Sequence, residues 1–231
     1  MRCRLVWVIF LLAPALLGQQ YPFIPVANSP RNIEHILEDR QGRLWISTHD
    51  DVLCFDGSRF LSLHEFGLPA GLHALSEDLE GGILAASGNG VYRFFRGRLE
   101  HVLSGVIVEE AVGVAPGVLL AATDVPTRAD PIPGLYRIQA VNGAWKAERF
   151  GNWQSGGYLS RDPAGNILAA CPGGWCEVPA TLVVDWNPQR PIQPTFHRSA
   201  LNIQRVSRDS AGCVCIRPIA VRSIRSLNCN F

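Results

Sequence analysis

A glycine-centred turn recurs along this chain at a spacing that few folds can use. The turn glycines are Gly42, Gly81, Gly117, Gly165 and Gly212, separated by 39, 36, 48 and 47 residues, a mean of 42.5. An internal period of about 40–50 residues marks propeller-type repeats, in which a small antiparallel sheet cannot bury its own faces and must stack on its neighbours. The first copy runs from Ile36 to Thr48 and continues into Val52-Leu53-Cys54-Phe55-Asp56-Gly57. The second runs from Leu75 to Ser87 and is followed by Gly90-Val91-Tyr92-Arg93-Phe94. A weaker third copy spans Val114 to Thr123 and resumes, after a long insert, at Gly134-Leu135-Tyr136. The fourth spans Leu159 to Ala170, and the fifth Val206 to Ile216.

Four copies place an aspartate three residues before the glycine: Asp39, Asp78, Asp162 and Asp209. Such a carboxylate accepts the backbone N–H two residues on and so initiates a turn. The glycine supplies the positive φ that closes a short hairpin with a bulge. Apolar residues flank the turn on both sides, as two paired strands require. In the first copy Leu44 and Ile46 share one face of a strand, and Trp45 and Ser47 the other. Helical periodicity is almost absent. These features predict an all-β chain of about five recognisable propeller blades over residues 19–216, forming an incomplete propeller. From Arg217 to Phe231 the pattern lapses into a divergent tail rich in Arg and Ser. Strand edges and blade faces left open in this way invite association.

The N-terminus reads Met1-Arg2-Cys3-Arg4, then 13 uncharged residues from Leu5 to Leu17, then Gly18. A positive start and a short apolar run describe a secretory signal peptide over residues 1–18. The run is shorter than the roughly 20 residues that span a bilayer and contains Pro14. No membrane span is expected after cleavage, and the location implied is periplasmic or secreted. A formal net charge of +1, from 21 basic and 20 acidic residues, argues against a nucleic-acid partner.

Export permits disulfides. Cys171 and Cys176 flank a turn, as a hairpin-bridging pair would; two small buried hydrophobes are the alternative. No second pair accompanies them, so no metal site is predicted. His64-Glu65 lacks the second histidine of a zinc-protease helix. Gly151 to Gly156 does not have the spacing of a nucleophile elbow. Glu109-Glu110 reads as a solvated strand end. The recurrent aspartates support the fold rather than a single site, since an active site would use each position once. No catalytic residue and no cofactor is predicted. Trp45 sits mid-strand and reads as core, while Trp153 and Trp175 lie in glycine-rich turns and are the candidate ligand contacts.

The first copy, Glu38-Asp39-x-x-Gly42-x-Leu44-Trp45-Ile46-Ser47-Thr48 followed by Phe55-Asp56-Gly57, closely resembles the two-component regulator propeller repeat. The later copies keep mainly the turn and the apolar strand, with Ala85, Leu120, Ala169 and Cys215 near the position of Trp45. That repeat builds the periplasmic sensor region of many bacterial hybrid histidine kinases and of some diguanylate cyclases. The resemblance implies a ligand-sensing or interaction domain of a two-component signalling protein, non-enzymatic in itself. Its partner would be a small ligand, for instance a carbohydrate, or a protein. It also implies that the chain corresponds to the N-terminal piece of a longer sensor, whose kinase or cyclase module lies elsewhere. The alternatives are an exported propeller enzyme acting on carbohydrate, a glycosidase or lyase, and a protein-interaction scaffold.

A positive φ at Gly42 makes a direct prediction. Gly42→Val places a β-branched residue in the left-handed region and should cost on the order of 1–3 kcal/mol, read as a lowered melting midpoint. An unchanged midpoint would refute the turn assignment.

Overall fold

This computed structural model describes residues 29–123, 134–151, 157–189 and 192–218. The signal-peptide segment 1–18 and Trp153 lie outside the described residues.

Four antiparallel sheets of four strands follow one another along the chain, each with its strands in sequence order. Blade 1 contains β1 (His35–Glu38), β2 (Leu44–Ser47), β3 (Val52–Phe55) and β4 (Phe60–Ser62). Blade 2 contains β5 (Leu72–Glu77), β6 (Ile83–Ser87), β7 (Gly90–Phe95) and β8 (Arg98–Ser104). Blade 3 contains β9 (Glu110–Ala115), β10 (Val118–Ala122), β11 (Leu135–Val141) and β12 (Ala144–Arg149). Blade 4 contains β13 (Leu159–Arg161), β14 (Ile167–Cys171), β15 (Gly174–Val178) and β16 (Thr195–Arg198). A fifth, two-stranded sheet pairs β17 (Ile203–Arg208) with β18 (Val214–Pro218). The first strands β1, β5, β9, β13 and β17 lie side by side in that order, as the inner strands of a propeller do. Pairing in the fifth sheet runs on to Arg217 and Pro218, two residues past the point where the sequence pattern lapses. A strand end tolerates proline, so loss of the repeat signature did not end the strand.

The turn between the first two strands has the same construction in four blades. The N–H of Asp39, Asp78, Asp162 and Asp209 donates to the carbonyl four residues on, and the N–H of Gly42, Gly81, Gly165 and Gly212 donates back to the Asp carbonyl. Oδ1 of each aspartate also accepts the N–H four residues on, at 2.7–2.9 Å. All five turn glycines, Gly117 included, have φ between +67° and +93°. Blade 3 lacks the aspartate; its tighter turn, Ala115 to Val118, is held from outside by Glu80, which accepts the N–H of Gly117 at 3.2 Å.

The second oxygen of each buried aspartate takes a cation. Asp39 Oδ2 accepts from Arg43 Nε at 2.7 Å and from Trp45 Nε1 at 2.8 Å. Asp78 Oδ2 accepts from Arg93 Nε at 2.6 Å, and Asp162 Oδ2 from Arg208 of the next blade at 2.8 Å. Burial works to raise the Asp39 pKa, but the bonds from Trp45, Arg43 and Gln41 outweigh it and hold the carboxyl below its ordinary 3.8.

Apolar cores sit between blades. Trp45, Leu84, Leu120 and Leu168 occupy one repeat position, three residues after the glycine, and each contributes to the core against the following blade. The true counterparts of Trp45 are therefore Leu84 and Leu168, not Ala85 and Ala169, which face the preceding blade. Trp45 is 1% exposed and is core. At the ends of the series the same repeat positions open: Ile36 of β1 is 64% exposed, and Val214 and Ile216 of β18 are exposed. Among the described residues two short helical pieces interrupt the strands, a 3-10 turn at Leu63–Phe66 and α1 (Ala180–Val184). Arg137 of β11 donates to the carbonyls of Val183 and Val184, fastening α1 to blade 3.

Asp78 and Asp209 share one turn geometry but differ in burial, which separates two costs. Asp78→Ala removes the bonds from Glu80 N–H, Gly82 N–H and Arg93 Nε in a buried site, while Arg93 keeps Glu80 and Glu100, and should cost about 1–3 kcal/mol. Asp209→Ala removes two exposed hydrogen bonds and should cost about 1 kcal/mol or less. Urea midpoints of the two variants check this; equal losses would refute the role given to the buried pair.

Candidate functional site

The inner strands of blades 2 to 5 surround a cavity of about 340 Å³. Its walls come from equivalent repeat positions: Ser76, Ser160 and Ser207 lie five residues before their turn glycines, and Glu110 and Arg205 lie seven before theirs. Because side chains alternate along a strand, residues at these odd offsets share one face of their blade. The serines also act between blades. Ser76 Oγ donates to Ala111 O and Ser160 Oγ to Val206 O, both at 2.6 Å, so each serine bonds the matched carbonyl of the next inner strand.

Glu110 and Arg205 form the charged centre of this cavity. They lie 95 residues apart in sequence and two blades apart in space, and their carboxylate and guanidinium are in direct contact. Tyr158 of the intervening blade completes the group, with the Arg205 guanidinium 5.1 Å from its ring centroid. Glu110 is 6% exposed, which corrects its reading as a solvated strand end. Burial pushes its carboxyl up to about 7, against the opposing pull of Arg205. Burial likewise raises the Tyr158 hydroxyl. Glu77, the other acid of the lining, is held by Arg40 of blade 1 through ion-pair contact at 3.1 Å. Arg161 makes no ion pair among the described residues.

The residues named from sequence fall elsewhere. Asp39, Asp78, Asp162 and Asp209, with the five turn glycines, form the hairpin turns at one end of the blades. Trp175 is not at a mouth: it belongs to β15, is 6% exposed and stacks on His197 with ring centroids 3.7 Å apart. Its glycine-rich surroundings are a tight hairpin, which buries the indole against blade 5. Cys171 and Cys176, read as a hairpin-bridging pair or as two small buried hydrophobes, are both buried. The hairpin register sets Cys171 opposite Gly174 and Cys176 opposite Ala169. Diagonal neighbours of this kind have Cα atoms about 7–8 Å apart, beyond the roughly 5.5–6 Å that a disulfide prefers. Both side chains pack in the core between blades 3 and 4. Among the described residues no cluster of three or more His, Cys, Asp or Glu side chains is placed to hold a metal ion. No helix among them is long and apolar enough to cross a membrane.

Sequence reasoning missed Glu110 and Arg205. The available signal was their shared offset from the turn glycine, which places both on the inner strand with the same facing.

Glu110 gives a pH prediction with a defined sign. The folded state holds its proton up to about 7, whereas the unfolded chain releases it near 4.5. The stability contributed by neutral Glu110 is complete below about pH 4.5 and is lost as pH rises through 7. Glu110→Gln should therefore flatten the decline in urea midpoint between pH 5 and 8; an unchanged pH slope would refute the assignment.

The fold has known relatives. The two component regulator propeller family matches residues 28–50, which hold the start of the first repeat. No curated protein matches the chain. Among solved structures, the extracellular domain of BT4673 from B. thetaiotaomicron, described as a hybrid two component system, aligns at TM-score 0.60 and 17% identity over 84% of this chain. This chain spans 27% of that one. The gluconolactonase XC5397 from Xanthomonas campestris aligns at TM-score 0.58 and 12% identity, covering 80% of this chain and 69% of that one. Virginiamycin B lyase from Staphylococcus aureus aligns at TM-score 0.58 and 10% identity, covering 85% of this chain and 66% of that one. At these identities the likeness is one of fold, and it agrees with the propeller arrangement of the sheets.

Proposed function

We propose that this chain, which carries the two-component regulator propeller repeat, is a ligand-sensing module of a bacterial two-component signalling protein, exported and non-enzymatic in itself. The observation that carries this reading is the axial cavity, whose walls are supplied by four different blades and whose charged tie, Glu110 to Arg205, spans two of them. A small polar ligand seated there would touch β5, β9, β13 and β17 together. Binding would then be paid in contacts between blades, and the relative position of the inner strands would report occupancy. Arg161, Arg205 and the Ser207 hydroxyl supply donors, so the ligand class is a small molecule rich in acceptor oxygens.

An enzyme of the lactonase or lyase kind is the second reading, favoured by the fold likeness alone. The two carboxylates of the cavity, Glu77 and Glu110, are each committed to an arginine, which leaves no acid–base pair with separate partners.

A thermal-shift screen of small polar metabolites against the mature chain and Arg205→Gln tests the proposal. A stabilising compound is expected whose effect is lost in the variant and whose concentration stays constant by NMR. A screen that yields no compound whose effect depends on Arg205 would overturn the axial site, and consumption of the compound would establish the enzyme.

A further inference from the structure

A second cavity, of about 330 Å³, lies between blades 1 and 2 on the turn side of the sheets, away from the axial lining. Gln41 and Arg43 of the blade 1 turn and Glu80, Phe95, Arg96 and Gly97 of blade 2 line it. Arg96 and Gly97 form the two-residue turn between β7 and β8, with φ of +51° and +75°. The corresponding turn of blade 3 is Asn142-Gly143, with φ of +52° and +79°. Asn-Gly is the pair that this turn type favours, because asparagine tolerates the left-handed region and most other side chains do not. Arg96 is the one residue among the described residues, other than glycine and asparagine, with positive φ. A residue held in a sparsely populated conformation points to a use for its side chain.

The side chain has that use open. Its guanidinium lies 4.8 Å from the Phe95 ring centroid and makes no ion pair or hydrogen bond among the described residues. Arg43 is similar: its guanidinium lies 5.3 Å from the Trp45 centroid, and its one ion pair is through Nε to Asp39. Two guanidinium groups, each seated against an aromatic ring with terminal N–H donors unspent, thus line one cavity. Planar forks fixed in this way are suited to an oxyanion. Gln41 and the partly exposed Glu80 add an amide and a carboxylate able to meet hydroxyl groups.

We infer that this cavity between blades is a second binding site, for a hydroxylated carboxylate of sugar-acid size: the carboxylate meets Arg43 and Arg96, the hydroxyls meet Gln41 and Glu80, and the carbon face rests on Phe95. The site is independent of the axial cavity. Its volume falls within the roughly 300–1,000 Å³ of small-molecule sites.

Calorimetric titration of the mature chain with glucuronate and with gluconate tests it, with glucose and acetate as the neutral and the hydroxyl-free controls. At least one sugar acid should bind at least tenfold more tightly than either control. Arg96→Asn restores the favoured turn pair, so it should raise the melting midpoint while weakening the sugar acid at least tenfold. Arg96→Lys should fall between, keeping the charge but not the fork. Arg205→Gln should leave this binding unchanged, which separates it from the axial proposal. Silence of both sugar acids, or undiminished binding by a folded Arg96→Asn variant, would overturn the inference.

Discussion

The structure depends on a carboxylate taken out of water at the hairpin turn. Asp39, Asp78 and Asp162 are buried, and each is stable there because both carboxylate oxygens accept hydrogen bonds. One oxygen closes the turn through backbone N–H groups, and the other draws in a guanidinium. The turn thereby does two jobs: it sets the register of the first two strands, and it offers a fixed charge to which other elements attach.

Attachment follows a rule that repeats from blade to blade. In blades 2, 3 and 5 the residue four before the turn glycine lies against the preceding blade's turn. Glu77 pairs with Arg40, and Arg208 reaches Asp162. Gly113 occupies the same position against Asp78, where a Cβ would come within 2.7 Å of the Asp78 Cα. One residue earlier, the serines bridge inner strands through the matched carbonyls. Blade 3 shows how far the scheme tolerates loss. Without an aspartate of its own it is held by Glu80 of blade 2, by the short approach at Gly113 and by apolar cores on both sides.

Both cavities proposed as binding sites lie between blades. The aspartates that close the turns have little hydrogen-bonding capacity left for a ligand. The axial cavity uses positions that the fold leaves variable: Glu110 and Arg205 line it from seven residues before their turn glycines, where Ala74 and Tyr158 stand in blades 2 and 4. The cavity between blades 1 and 2 likewise uses a hairpin tip, Arg96, where only backbone conformation is demanded. A repeat protein can thus keep its scaffold constant while each blade contributes a different side chain to a site.

What was legible in the sequence was local. The Asp-x-x-Gly spacing reported the turns because a carboxylate two residues from an N–H and a glycine at positive φ are short-range requirements. The period of about 42 residues reported the stacking for the same reason. Trp45 was legible as core from strand alternation. Other features depended on pairings that no short window contains. The contact of Glu110 with Arg205 needs three blades to be stacked before it exists, so a strand-end acid looked solvated when it is buried. Cys171 and Cys176 left both a bridge and two buried hydrophobes open, because their separation fits a hairpin; the register, which is decided by the whole β14–β15 pairing, made them diagonal neighbours. Trp175 looked like a mouth residue beside its glycines, and blade 5 covers it. The sequence by itself determined where the chain turns and how often it repeats, and tertiary structure alone decided which charges meet, because electrostatic partners in a stacked fold are chosen by blade geometry rather than by distance along the chain.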